Sequence, residues 1–354
     1  MNRYSLKFNS KKMKYKIHTT VTGSLPKPNW IAETGKLWSP WKLSGDALEL
    51  GKLKATLLSV EDQIAAGLSI ITDGEQSRQH FVTTFIENLS GVDFKKRKIV
   101  RIRDRYNASV PTVISRINRK KSVFLKYAIF LRSLTKLPIK FSLPGPMTMV
   151  DTLFDNYYKS REKLAWRFAE VLNEEAKDLE KAGIDYIQFD EPAFNVFFDE
   201  VKDWGIATLE RAAKNLKSKT IVHICYGYGI KANNDWKKSL GSEWRQYENI
   251  FPLLNKSKIN QISLECMNSK VPLDLLSLLN NKEVLAGVID VASTKIETPK
   301  EVFNLIKKIT KFVSPKKLTC CTNCGMITLP PKIAQAKMQA IAKGSFLAQK
   351  YLFN

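Results

Sequence analysis

Histidine and cysteine are scarce in this chain, at three and five residues among 354. No run approaches the roughly 18 consecutive apolar residues of a membrane-crossing helix, which excludes such a span. The basic N-terminus, "MNRYSLKFNSKKMKYKIHTT", has no apolar stretch that could serve as a secretory signal. Residues 1–16 therefore read as a basic flexible tail, with Met13 an alternative start. Internal repeats, low-complexity segments and Pro/Gly/Ser linkers are also missing, so residues 17–354 read as a single folded unit. Three of the five cysteines fall together at Cys320, Cys321 and Cys324, which is no secreted disulfide framework. A cytoplasmic, thiol-reducing compartment is expected, where clustered cysteines bind metal or do chemistry.

Acidic residues are outnumbered, 34 against 57 Lys and Arg, for a net charge of +23. Such a balance can mark a nucleic-acid binder. The charge is spread along the chain, however, with one basic excursion at "FKKRKIVRIRDR" and "NRKKS", and no nucleic-acid signature accompanies it. Nucleic acid is therefore not an expected partner.

What is present is an alternation of short β-branched runs with amphipathic helices. Eight strands are expected: 19–24, 68–75, 138–145, 184–192, 220–227, 259–266, 283–291 and 318–325. Leu164, Phe168, Val171, Leu172 and Leu179 recur at helical spacing before Gly183. Thr298-Pro299-Lys300-Glu301 is a capping box with proline at the first helical position. Eight strand–helix units predict a (β/α)8 TIM barrel, with a doubly wound open sheet as the alternative. Residues 92–137 are too long for a simple connection. They predict an insertion between strands two and three, a hairpin followed by a helix.

In a barrel, chemistry gathers at the C-terminal strand ends. Read in order, these ends supply Gly23-Ser24, Asp73-Gly74-Glu75, Pro144-Gly145, Asp190-Glu191, His223 and Cys225, Glu265, Asp290, and Cys324. Residues i and i+2 of a strand point the same way, so His223 and Cys225 can reach one ion. With Glu265 and Cys324 they form a donor set that suits Zn²⁺. Each member has a plainer reading. His-x-Cys can fill a core, Cys321-x-x-Cys324 can be a separate redox pair or supply two ligands, and Asp190 and Glu75 can cap helices. Asp73 and Glu191 are expected to be structural, and Cys266 to be core.

The motifs "VTGSLP", "DGEQSR", "LPGPMT", "IQFDEPA", "HICYG", "SLEC", "GVIDV.S" and "TNCG" occur in an order that resembles the C-terminal catalytic barrel of cobalamin-independent methionine synthases. The resemblance covers residues 17 to 350 and implies a single-barrel member. It implies Zn²⁺ held by His223, Cys225, Glu265 and Cys324. It implies L-homocysteine bound through its ammonium to Glu75 and Asp190 and through its carboxylate end to Ser24. The implied activity is transfer of a methyl group to that thiol, forming L-methionine. Four protein ligands close a site that must admit a thiol, so Glu265 is expected to yield.

Two departures lie on the methyl-donor side. Ala292 stands where full-length members carry a proton-transferring histidine. Asp151-Thr152 stands where they carry Asn-Trp, whose tryptophan stacks on the folate. The expected donor is therefore not methyltetrahydrofolate used in the usual way. A corrinoid protein or a separate partner protein, docked on the basic 92–121 segment, is the expected source. Coenzyme M as acceptor, or a non-enzymatic zinc- and amino-acid-binding barrel, are the rival readings.

Overall fold

The computed structural model describes residues 17–227 and 230–353. The basic tail expected at 1–16 lies outside the described residues. Seven strands form one parallel sheet: β1 (His18–Thr19), β4 (Lys140–Pro144), β6 (Tyr186–Asp190), β7 (Lys219–His223), β8 (Gln261–Glu265), β9 (Glu283–Gly287) and β10 (Leu318–Cys321). Their order is β1-β10-β9-β8-β7-β6-β4. The eighth strand, expected at 68–75, is reduced to one ladder step that closes the barrel. Ile71 bridges Ile139 in parallel, its N–H donating to Pro138 and its carbonyl accepting from Lys140. On the other side Ser69 and Ile70 both donate to the Thr19 carbonyl.

The step is short because the chain is pulled away after it. The side chain of Gln63, on the helix Gly45–Ala66, accepts the Thr72 N–H at 2.9 Å. Gly74 and Glu75 then both adopt left-handed backbone, at φ 59° and 56°. At Gly74 a Cβ would come within 2.3 Å of the Ser59 hydroxyl, so only glycine fits that turn.

The strands have two apolar or polar faces, as period two requires. Ile187, Phe189, Val222, Ile262, Leu264, Val284 and Ala286 join the large core beneath the surrounding helices. The other face points into the barrel, where Ile221, Leu285 and Cys321 form a separate small cluster. The helix Arg161–Lys181 packs the expected stripe, with Leu164, Phe168, Val171, Leu172 and Leu179 all buried. Each such side chain contributes about 1.5–3 kcal/mol. Gly183 follows at φ 88°. The helix Pro299–Ile309 begins with the full capping box, Thr298 and Glu301 exchanging side-chain and backbone bonds. No helix among the described residues is long and apolar enough to cross a membrane.

The insertion begins before residue 92. Strands β2 (Leu89–Ile102) and β3 (Tyr106–Arg119) form a long antiparallel hairpin, and β5 (Phe154–Asp155) adds to β3 in parallel. The helix Leu125–Leu134 follows. At the hairpin tip Arg105 N–H closes a turn on the Ile102 carbonyl, with Arg103 and Asp104 both at positive φ, 46° and 52°. That is a type I′ turn built without glycine, a strained choice for arginine.

Candidate metal and substrate site

The inward rows of the barrel end in chemistry. Along β6 the row is Tyr186, Gln188, Asp190; along β7 it is Ile221, His223; along β8 it is Gln261, Ser263, Glu265. Below the mouth the filling is polar. Buried Lys140 donates to the carbonyls of Val21 and Thr22, at 2.6 and 2.8 Å, and to Gln188 at 2.7 Å. Burial pushes its ammonium down to about 8. It holds the segment that follows β1, just before Gly23-Ser24. Hydropathy gave no sign of it, since "PIKFSLPG" reads as an ordinary buried strand.

At the mouth, the donor atoms of His223, Cys225 and Cys324 lie within 4.8 Å of one another, all buried. The two sulfurs are 3.6 Å apart. That is far beyond a disulfide and near the spacing of about 3.8 Å that two thiolates take on one tetrahedral zinc. The His223 Nδ1 meets the Ser263 hydroxyl at 2.9 Å, while Nε2 is buried without a hydrogen-bond partner. This is the arrangement of a ligating histidine, one nitrogen oriented and the other free to bind. Cys225 is pushed well below the ordinary thiol range, first by its contact with Cys324 and then by His223. The same contact and burial push Cys324 up. Burial pulls the His223 imidazole down, but Cys225 and Asp190 outweigh it and the net direction is up. Two sulfurs and an unpartnered imidazole nitrogen fit zinc.

Glu265 stands outside this trio. Its carboxylate accepts the Tyr226 N–H at 3.2 Å and lies 3.6 Å from the Lys237 ammonium. Burial pushes it up to about 7, against Lys237. Cys321 is inside the barrel, 3.9 Å from the Ser263 hydroxyl, and burial raises its thiol. Cys266 and Cys320 are buried, with thiols raised by burial.

Ser24, Glu75, Asp190, His223, Cys225 and Cys324 line one cavity. Glu75 accepts the Ser142 hydroxyl at 2.7 Å, and Ser142 in turn accepts from Arg78. Arg78 is buried and pairs with Asp73 at 3.1 Å and Glu75 at 3.6 Å. Removing such a cation strands two carboxylates and costs about 3–5 kcal/mol. Burial pushes the Asp190 carboxyl up to about 7, against the pull of His223; it accepts from Gln188 at 2.7 Å. Neither Glu75 nor Asp190 caps a helix. Asp73 instead accepts the Glu75 N–H and pairs with Arg78. Glu191 accepts the N–H groups of Met147 and Thr148, both at 2.9 Å, tying down the start of the helix Pro146–Asp151. A Cβ at Gly145 would fall 2.2 Å from the Glu191 carboxyl carbon, so the glycine is what lets that carboxylate in.

The hairpin tip completes the cavity wall with Arg103, Arg105 and Tyr106, and His80 lies beside them. The sequence predicts a hairpin here and a basic surface for a partner, but nothing in it places the tip in the cavity wall. Ala292 is exposed on a turn, its N–H on Asp290 at 2.8 Å, and does not line the cavity.

A family model described as the catalytic domain of cobalamin-independent synthase matches residues 17–344. Methionine synthases of Saccharolobus solfataricus and Sulfurisphaera tokodaii are each 32% identical, covering 94% and 95% of this chain and 95% and 94% of theirs. A B12-independent methionine synthase from Shewanella sp. W3-18-1, solved in complex with selenomethionine, is 62% identical. It covers 95% of this chain and 98% of that one, with a TM-score of 0.93. A methyltransferase from Methanosarcina mazei, at 13% identity and a TM-score of 0.58, shares the fold.

Proposed function

The chain belongs to the cobalamin-independent methionine synthase family and is a methyltransferase, and from that premise we propose that residues 17–354 form one zinc-dependent, cytoplasmic homocysteine S-methyltransferase. The observation that carries this reading is the convergence of His223, Cys225 and Cys324, with the histidine Nε2 unpartnered, in one cavity with Glu75 and Asp190.

His223, Cys225 and Cys324 would hold the metal, with Glu265 as an exchangeable fourth ligand. The chemistry zinc supplies when bound is to keep an incoming thiol, of ordinary pKa about 8.5, ionised yet nucleophilic at neutral pH. Ser263 fixes the His223 ring. Glu75 and Asp190 take the substrate ammonium, and Ser24 lies at its carboxylate end. The thiol proton is lost to solvent on binding. The sulfur then forms a bond to the methyl carbon as the bond from that carbon to the donor breaks, and the donor keeps the electron pair. An acceptor without an ammonium, such as coenzyme M, would leave two buried carboxylates facing it.

The donor is not methyltetrahydrofolate used in the usual way. Ala292 carries no proton and faces solvent, and Asp151 is engaged by the hairpin. The family and the Shewanella relative are both described as independent of B12, so corrinoid delivery draws no support from them. Zinc-loaded protein with L-homocysteine is to be offered methyltetrahydrofolate, methylcobalamin and cell extract in separate reactions, with methionine read by mass spectrometry. Zinc-dependent methionine formation supports the methyltransferase reading; formation from methyltetrahydrofolate alone overturns the donor assignment, and none under any condition overturns the whole.

A further inference from the structure

Arg103 presents an unusual charge. Its backbone N–H is held by the Asp151 carboxylate, and its Nη2 reaches the Tyr106 hydroxyl at 3.4 Å. Its Nε and Nη1 are buried and have no hydrogen-bond partner. Three of the five guanidinium N–H bonds therefore lack an acceptor. No carboxylate forms an ion pair with the Arg103 guanidinium among the described residues. Burying donor nitrogens without an acceptor is costly. The left-handed backbone at this residue adds strain.

Its neighbour gives no relief. Arg105 donates to the Tyr226 carbonyl and to the side-chain oxygens of Asn233 and Asn195, all neutral, and stacks on Trp236 at 3.6 Å. Two guanidinium groups thus line one cavity without a side-chain ion pair among the described residues, and only the Asp151 carboxylate, bound to the Arg103 backbone N–H, offsets their charge from the tip side. Burial, with Arg103 and Lys27 adding, pushes the His80 imidazole down to about 3, so it brings no further charge.

The acceptor's charged groups are already assigned under the proposed function, on which this step rests. What is left over is the donor. The tip is anchored on Asp151, in the segment after "GPMT" where the Asp151-Thr152 departure lies. We infer that the hairpin tip is the methyl-donor wall of the site, and that Arg103 recognises an acidic oxygen group, carboxylate or phosphate, carried by the donor. The insertion thereby replaces a stacking surface for a flat ring with a charged contact for an anion.

The test is a crystal of zinc-loaded protein soaked with L-methionine and selenate, whose anomalous signal locates the anion. The expected result is L-methionine with its ammonium on Glu75 and Asp190, and a separate selenate within hydrogen-bond distance of the Arg103 guanidinium. L-methionine placing its own carboxylate on Arg103 would move the residue to the acceptor side and overturn the inference. An absent selenate peak there would overturn it as well. If L-methionine does not bind at all, the proposed function fails while the selenate result is still read. In solution, Arg103→Gln should weaken inorganic phosphate binding about tenfold or more, the loss of one charge-assisted contact. Arg103→Lys should restore part of it. Equal phosphate affinity in wild type and Arg103→Gln contradicts the assignment.

Discussion

The carboxylate of Asp151 receives the backbone N–H of Arg103, at 3.1 Å through one oxygen and 3.4 Å through the other. A buried acid at the end of a short helix thus pins the tip of a long hairpin over the barrel mouth. Burial pushes the Asp151 carboxyl up, and Arg103 opposes that shift.

Asp151→Ala should therefore free the tip. The expected cost is about 1.5–3 kcal/mol, from one hydrogen bond to a charged acceptor. Amide hydrogen exchange over 102–106 should quicken, while Asp151→Asn, which keeps an acceptor oxygen, stays closer to wild type. Unchanged exchange in the alanine variant would show that the tip is held by other contacts.

Cys225→Ser and Cys324→Ser should each abolish bound zinc, measured by elemental analysis of purified protein. Cys321→Ser should retain it, because that thiol lies inside the barrel beside Ser263. Zinc loss in Cys321→Ser would mean that the ligand set is wrong.

The affinity of metal-free protein for L-methionine should rise between pH 6 and pH 8. Asp190, raised to about 7 by burial, is mostly protonated at the lower pH and mostly ionised at the higher. Only the ionised form attracts an ammonium. One group titrating near 7 gives about a tenfold gain over that interval. Calorimetry checks it: Asp190→Asn should bind weakly with a flat profile, and a flat profile in wild type would remove Asp190 from the ammonium site.

Ala292→His should not confer use of methyltetrahydrofolate. The position is exposed and outside the cavity lining, so a histidine there would face solvent. Folate-dependent methionine formation in this variant, above wild type, would show that the missing imidazole was the sole obstacle.

Much of this is legible in the sequence. Strands buried on both faces announce themselves as apolar runs, and their C-terminal ends named His223, Cys225 and Cys324, which the fold brings together. The second strand was overread: "LSIITDGE" has the composition of a strand, but Gln63 and the left-handed pair Gly74-Glu75 cut it to one step at Ile71. Lys140 was invisible because one lysine does not disturb the pattern of an apolar strand, and only the closed barrel gives it three acceptors. The hairpin was legible as a hairpin. Its destination was not, since docking of a tip depends on a contact between residues 103 and 151, which no local pattern encodes.

The central claim is that this site takes a substrate thiol beside two protein thiolates, with Glu265 giving way. Zinc K-edge X-ray absorption with and without L-homocysteine tests it most directly. The account predicts two sulfur ligands rising to three, with one fewer oxygen neighbour. A sulfur count that stays at two after saturation with homocysteine, or an oxygen count that does not fall, would contradict it.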